Sequence, residues 1–526
     1  MSYFSSSVYA ESGKIRYEVS KSHSKKTHCL HVKVKTVIPE TGMLSFYVPE
    51  WVESYDVHRG KEGNTALSQD KRILTVTDKP LQKIELMYDY CPINIAGDLR
   101  QSLINKEYIF FEFASALSLP ANIQNWNIPW NIEVDLKSFP GYFNFYSSYP
   151  VKKKTIKITD TLPNFSRSVI WATRHTSDPI MINDKKVDFV YIGQGEKNKK
   201  KLRNATKKLI FEQRKFWQDD DFEKYTAVFL EDESKQNRGN VVGRSSWKLF
   251  SCLIERASED PSGVVHSISH ELFHAWLGGK IAFAPGSNDL TWFTEGFTHY
   301  YGQRLAEQAG LLSKKEAEKI LNSQIIAYSV LPIKNEDDSV FLSSENKDPM
   351  YYVISLLRGY FVASKLDRLK DEKGQPLMPI ILREILAKAQ RQEVGFLASR
   401  KIIMDAFSKH LPEAEMDSVN KIVFKGETID FSPDFAMGNT LNLKEVNVPD
   451  VGFNFHELIV NQTLGGLESD SPAFKAGLRN GMKVLDHNIR LVEVNHKIEM
   501  MIATDQGVKK FEYFPNSKKI NVLQIL

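Results

Sequence analysis

The sequence predicts an α+β chain of several domains: an N-terminal antiparallel β domain over residues 1–154, a mainly helical domain over 155–442, and a smaller mixed unit over 443–526. Three observations carry that prediction. At 526 residues the chain is too long for one core and implies about two to four domains. Short stretches of alternating apolar and polar residues fill its first part, as half-buried strands require. Helical spacing of apolar residues dominates the second half, until a glycine-punctuated stretch near the C-terminus.

In chain order, Ile15–Val19, His31–Lys35, Ile73–Val76 and Ile84–Tyr88 read as strands separated by turn-forming residues. From Thr155 to Phe216 strands and helices alternate, with Phe189–Ile192 followed by a basic amphipathic run to Trp217. Tyr225–Leu230 is a strong strand that ends in Glu231, Asp232 and Glu233. After a polar turn, the stretch Arg238–Arg244, with Gly239, Asn240, Val241 and Val242, reads as an edge strand. A peptide can pair with such an edge through main-chain hydrogen bonds alone. Ser313–Leu331, Met350–Lys370, Pro379–Gln392 and Arg400–Leu411 carry helical periodicity, and the polar Lys334–Lys347 reads as a surface loop. In the last unit, Ser471–Leu485 gives a short helix, a glycine stop, a turn and a strand, flanked by strand-like Glu457–Val460 and Ile520–Leu523.

Composition narrows the function classes. Apolar residues make up 42% and charged residues 25%, as in ordinary soluble globular proteins. A net charge of +4 is small against 69 basic and 65 acidic residues, so no strong field for nucleic acid or a membrane is implied. Lysines cluster at Lys152–Lys154 and between Lys197 and Lys208, but without interleaved aromatics they read as solvated faces. Cys29, Cys91 and Cys252 are few, odd in number and scattered, which predicts neither a disulfide scaffold nor a thiolate zinc site. The N-terminal stretch lacks the basic start and apolar core of a signal peptide, and no run approaches eighteen apolar residues. The expectation is therefore a cytoplasmic protein with no membrane span.

The chemistry concentrates between Val265 and Glu295. His270-Glu271-Leu272-Phe273-His274 is an HExxH pattern, and Glu295 follows in Trp292-Phe293-Thr294-Glu295-Gly296. Residues four apart lie on one helical face, so His270 and His274 aim two imidazoles at one ion. A catalytic zinc site needs three protein ligands and an open position, and Glu295 is placed to supply the third ligand from a second helix over Asp289–Ala309. The first helix has both its ends marked, by Asp260-Pro261 and by Gly278-Gly279. Two imidazoles and a carboxylate suit zinc, though cobalt or manganese fits the same donor set. His299 and His266 share the four-residue spacing and read as packing, capping or outer-layer histidines.

Taken together, HELFHAW, WFTEGFTHYY and SPAFKAGLRNG resemble the glycyl aminopeptidase family of thermolysin-type zinc metallopeptidases. The resemblance implies an N-terminal β domain, a thermolysin-like catalytic domain and a C-terminal PDZ domain over nearly the whole chain. It implies His270, His274 and Glu295 as ligands of one Zn2+, Glu271 as general base, and a peptide or protein as substrate. The independent chemistry agrees: zinc acidifies its water, and a neighbouring carboxylate accepts the proton and passes it to the leaving amine. Two positions depart from the family pattern. Within Gly239-Asn240-Val241-Val242-Gly243, Val242 stands where a glutamate is expected to hold the substrate amine. Leu356 stands where a tyrosine is expected to stabilise the oxyanion, leaving Tyr351 and Tyr352, one to two turns earlier, as candidates for that role. The PDZ-like unit also departs, with Gly481-Met482 after its helix and Leu464-Gly465-Gly466-Leu467 as its one candidate carboxylate loop. Three readings follow: an aminopeptidase, an endopeptidase or slow peptidase without amino-terminal anchoring, and a peptide-binding protein that does not cut.

Overall fold

In the computed structural model the described residues are 13–525, except 23–28, 53, 60–62, 69–71, 93–101, 122–127, 140, 194, 223, 233–240, 256–260, 284–287, 344–347, 392–396 and 506. The chain packs into two compact units, Met1–Ala282 with Ala387–Leu397, and Phe283–Leu386 with Ala398–Leu526.

The first unit opens with a six-stranded sheet built from β1 (Lys14–Lys21), β2 (Leu30–Val37), β3 (Asp56–His58), β4 (Lys83–Tyr90), β5 (Trp130–Asp135) and β6 (Thr155–Asp160), in the order β6-β5-β1-β2-β4-β3. The alternation read from the sequence is real. Ile15, Tyr17 and Val19 of β1, Val32 and Val34 of β2, and Leu86 and Tyr88 of β4 are all buried in one core. That core also takes in Leu162, Phe165, Ile170 and Ala172. The sheet is not wholly antiparallel, because β1 and β5 pair in parallel, Lys14 opposite Asn131 through Glu18 opposite Asp135. The long stretch between them contributes other strands before the chain returns, which is how a parallel pair arises.

The cysteine expectation needs correction. Cys29 and Cys91 lie just beyond the Leu30–Tyr90 register pair of β2 and β4, with Cα atoms 4.3 Å apart, and form a disulfide. Their 62-residue separation hides a neighbourhood that only strand pairing creates. Cys252 is free and buried.

A five-stranded sheet follows, with β7 (Ser177–Ile182), β8 (Lys185–Ile192), β9 (Lys224–Asp232), β10 (Val241–Ser246) and β11 (Leu249–Glu255) in the order β7-β8-β9-β11-β10. β8, β9 and β11 are parallel, and the helix α1 (Glu196–Trp217) makes the crossover from β8 to β9. Their continuous apolar runs fit a sheet covered on both faces. β10 runs antiparallel to β11 and is the sheet's edge, as expected. The helix α2 (Pro261–Phe273) comes next and packs on β10 and β11.

The second unit is helical before its C-terminal part. It contains α3 (Thr298–Gln308), α4 (Lys314–Val330), a short α5 (Asp338–Ser343), α6 (Pro349–Leu366), most of α7 (Leu377–Arg391) and α8 (Arg400–His410). The four helices expected from periodicity are thus present within a few residues. The stretch expected to be a surface loop instead carries α5, where buried Asp338 accepts a 2.7 Å hydrogen bond from Arg400. A polar composition concealed a buried carboxylate and its partly exposed arginine partner.

The C-terminal segment forms a two-stranded ribbon, β12 (Asn442–Asp450) with β16 (Asn516–Gln524), and a three-stranded sheet of β13 (Val484–His487), β14 (Ile498–Thr504) and β15 (Gly507–Tyr513). The strand expected at Glu457–Val460 is a helix, α9 (Phe455–Asn461). The Asn454 side chain caps it by accepting from the Glu457 N–H, a preference that outweighs a short apolar run. This segment has its own core, including Phe453, Leu458, Ala473, Leu478, Val484, Met500 and Ile502. Among the described residues no helix is long and apolar enough to cross a membrane.

Candidate metal centre

α2 presents one face to a nearly dry interior, where Ile268, Ser269, Leu272 and Phe273 are at most 2% exposed. Ser269 is pinned to α1 by Gln213, whose amide donates to the Ser269 carbonyl at 2.7 Å. Trp217 of α1 packs on Phe273 at 5.1 Å and stacks on Trp276 at 6.0 Å between ring centroids. Although α2 ends at Phe273, His274 still donates its N–H to the His270 carbonyl at 3.3 Å. The two imidazoles therefore stay one turn apart, with Nε2 atoms 3.1 Å from each other.

The turn after α2 fixes the orientation of His274. Its Nδ1 lies 2.9 Å from the Leu277 carbonyl oxygen. A carbonyl only accepts, so Nδ1 carries the proton and Nε2 is left as the lone-pair donor for a metal. Gly278, at φ +111°, allows the reversal. Arg167 then holds the turn, donating to the carbonyls of Gly278 and Gly279. Asp219 anchors the far side, accepting from Trp276 Nε1 at 2.7 Å and pairing with Lys280.

Glu295 does not sit in an ordinary helix. The expected helix Asp289–Ala309 is a 3₁₀ turn at Asn288–Leu290, a π-helical segment at Trp292–Phe297 and then α3. A π segment inserts one residue into a helical turn and recurs at functional sites. α6 packs closely on it: a Cβ on Gly359 would lie 1.7 Å from the Trp292 carbonyl oxygen, and one on Gly296 would lie 2.5 Å from Gly359 Cα. Two glycines thus let the backbones touch beside Glu295.

His270, His274 and Glu295 each offer one ligand atom, and these atoms all lie within 4.8 Å of one another. Two imidazole nitrogens and one carboxylate oxygen form the three-ligand donor set that zinc takes when one position is left open for chemistry. The residues present therefore fit the metal that the motif implies.

Glu271 is buried on the same helix and faces β10. A Cβ on Gly243 would meet Glu271 Oε1 at 2.3 Å, so the carboxylate rests on that glycine's backbone. Behind it lie Tyr225 and Cys252. Burial first, and the Glu271 charge second, push the Tyr225 hydroxyl and the Cys252 thiol up, keeping both protonated beside the carboxylate. On β10, Val241 and Val242 stand opposite Ile254 and Leu253, and Val242 packs against the apolar cluster of the sheet. Gly239 and Asn240 lie outside the described residues. Arg244 is tied to Glu112, with Nε 2.7 Å from Oε1.

Tyr351 and Tyr352 occupy the first turn of α6 and diverge. Tyr351 is buried, whereas Tyr352 is 49% exposed. Burial, then the charges of Glu336 and Asp348, raise the Tyr351 hydroxyl above its ordinary value, so it remains a hydrogen-bond donor. His299 packs its ring 5.6 Å from that of Tyr360, and His266 is buried on α2. Neither belongs to the metal-capable group. Sequence reasoning missed the Leu277 carbonyl, Gly243 and the Gly296–Gly359 contact. Only Gly243 and Gly359 had a signal, as glycines inside a strand and a helix.

Residues 264–351 match the model of the M61 glycyl aminopeptidase family. No curated protein sequence matches the chain. Among solved structures, the chain is similar to an aminopeptidase N family protein from Idiomarina loihiensis at 15% identity and a TM-score of 0.68, covering 97% of this chain and 98% of that one. It is also similar to an M1 zinc metallopeptidase from Deinococcus radiodurans at 12% identity and a TM-score of 0.53, over 79% and 94% of the two chains. A two-domain M1 zinc metallopeptidase mutant bound to L-tryptophan shares 13% identity at a TM-score of 0.51, over 79% and 94%.

Proposed function

We propose that the chain is a zinc-dependent aminopeptidase in which His270, His274 and Glu295 hold the metal and Glu271 is the general base. The observation that carries this reading is the gathering of three ligand atoms within 4.8 Å of one another on the segment that matches a peptidase family. Zinc in such a donor set supplies Lewis acidity, which polarises a carbonyl and acidifies water. The remaining steps belong to the chain. The Glu271 carboxylate takes the proton from the attacking water and delivers it to the nitrogen of the leaving amine, so that the C–O bond forms and the C–N bond breaks without free acid. His274 keeps Nε2 available because Nδ1 is committed to the Leu277 carbonyl. Tyr351, held protonated, is the candidate donor to the oxyanion; Tyr352 is the weaker one because half of it faces solvent. The β10 edge offers main-chain groups to an extended substrate.

A second reading, a peptidase that does not anchor the amino terminus, draws on Val242. An apolar side chain packed into the sheet cannot pair with an ammonium. Free and N-acetylated peptides separate the two, since an aminopeptidase turns over only the free ones. The central experiment is Glu271→Gln in protein with stoichiometric zinc. Zinc should stay bound while turnover falls on the order of a hundredfold to ten-thousandfold. Undiminished cleavage would remove Glu271 from its role, and absence of peptide cleavage by the unaltered protein would leave a binding function instead.

We further propose the division 1–154, 155–442 and 443–526, with a PDZ-like C-terminal unit. It is supported by the separate C-terminal core and by the short helix Pro472–Lys475 ending at Gly477, φ +99°. For location, the Cys29–Cys91 disulfide favours an oxidising compartment over the cytoplasmic expectation. Thiol alkylation and mass analysis of protein from its native cells tests that point.

A further inference from the structure

Two histidines of the C-terminal segment engage two acids of the helical part of the same unit. His487, on β13, places Nε2 2.9 Å from Asp348 Oδ2, with side chains only 2% and 4% exposed. His456, on α9, places Nε2 3.3 Å from Glu336 Oε1 at a more open position. Asp348 is the N-cap of α6: Oδ1 accepts from the Met350 N–H at 2.9 Å, and its carbonyl accepts from the Tyr351 N–H at 3.0 Å. Both oxygens of this buried carboxylate are therefore engaged, one by the helix and one by the histidine. A helix start without its cap frays, and a buried carboxylate stripped of a partner is costlier still. The chain end adds a third tie, where the Ile525 N–H donates to the Asn322 side chain on α4 at 2.8 Å.

The elements tied down are those of the proposed reaction. Glu336 and Asp348 are the two charges that act on the Tyr351 hydroxyl. Further along α6, Gly359 meets the π-helical backbone beside Glu295. Arg358, fully buried, donates to the Glu336 carbonyl at 2.6 Å and joins the loop to the same helix.

We propose that His487 is a positioning residue: through Asp348 it fixes the first turn of α6, and with it Tyr351 and the glycine crossing that seats Glu295. The C-terminal segment then acts as a clamp on a catalytic helix. This rests on the metallopeptidase reading for its kinetic consequence but not for its structural one.

The test compares His487→Ala and His487→Gln in the full-length, zinc-loaded protein. Glutamine keeps a donor at the reach of Nε2, and alanine does not. The alanine variant should lower kcat on the order of tenfold to a hundredfold with KM changed by less than about twofold, because a reacting group is misplaced while substrate binding is kept. Hydrogen exchange should quicken at the amides of Tyr351–Gly359 while those of Ser269–Phe273 keep their protection. The glutamine variant should recover most of both. Unchanged exchange in α6 overturns the proposal. So does a variant that merely melts earlier while its folded form keeps the original kcat. If alanine prevents folding, the glutamine variant still decides, since the clamp requires that it fold with near-original kcat and exchange. An unaltered protein that cleaves nothing sinks the peptidase reading, and the exchange measurement then judges the clamp alone.

Discussion

At position 243 a single methyl group would displace the carboxylate proposed as the base. A Cβ there would sit 2.3 Å from Glu271 Oε1, so the carboxylate would have to swing away from its place. Gly243→Ala should therefore retain stoichiometric zinc while turnover falls by tenfold or more, about 1.4 kcal/mol of lost transition-state stabilisation. Steady-state kinetics beside metal analysis checks it, and full activity would show that Glu271 is not held by this glycine. The pair His270 and His274 was legible in the sequence because helical spacing is local. The groups that aim them were not. The Leu277 carbonyl is a backbone atom with no residue signature, and the glycine under Glu271 lies far upstream, joined to it only by packing.

Among the elements, the π-helical stretch bearing Glu295 departs furthest from the expected pattern. Apolar spacing predicted one helix from Asp289 to Ala309, and the apolar residues do lie inward: Trp292, Phe293 and Phe297 are buried. Periodicity registers which face is buried, but not a one-residue insertion that leaves that face intact. At this segment α6 approaches so closely that Gly359 touches the Trp292 carbonyl. Gly359→Ala should overpack this crossing at a cost of roughly 1–3 kcal/mol. It should also weaken zinc retention by shifting Glu295, which competition with a chelator measures. A variant that melts earlier yet holds zinc as tightly would mean that Glu295 is indifferent to the crossing. The same reasoning explains the helix found at Phe455–Asn461 in place of a strand. Three apolar residues, Leu458, Ile459 and Val460, fit either period, and the Asn454 cap favours the helix.

At the scale of the whole molecule, the order of β, mixed and helical parts was legible from length and patterning, whereas long-range pairings were not. Parallel pairing of β1 with β5 and the Cys29–Cys91 link both join positions far apart in sequence. For a 62-residue separation, closing the unfolded chain contributes about 4 kcal/mol to stability. Replacing both cysteines by serine should lower the melting temperature of the β part by several degrees. It should leave zinc content unchanged, since the metal site is elsewhere in the chain. Differential scanning calorimetry distinguishes this from a cysteine pair that is merely adjacent, which would leave the transition where it was.

Among the described residues the five-stranded sheet ends at β10, and such an edge has a cost that the site's chemistry does not mention. A strand with free main-chain groups on one side can recruit another copy of itself as readily as a substrate. β10 is only six residues long, Val241–Ser246, and holds a glycine followed by an arginine at its centre. Glycine is a poor strand former, which weakens pairing with a second copy brought alongside. The glycine that makes room for the Glu271 carboxylate thus also weakens fibre-like self-association. A variant that fills position 243 would meet both problems at once, losing turnover and becoming prone to aggregate at high concentration.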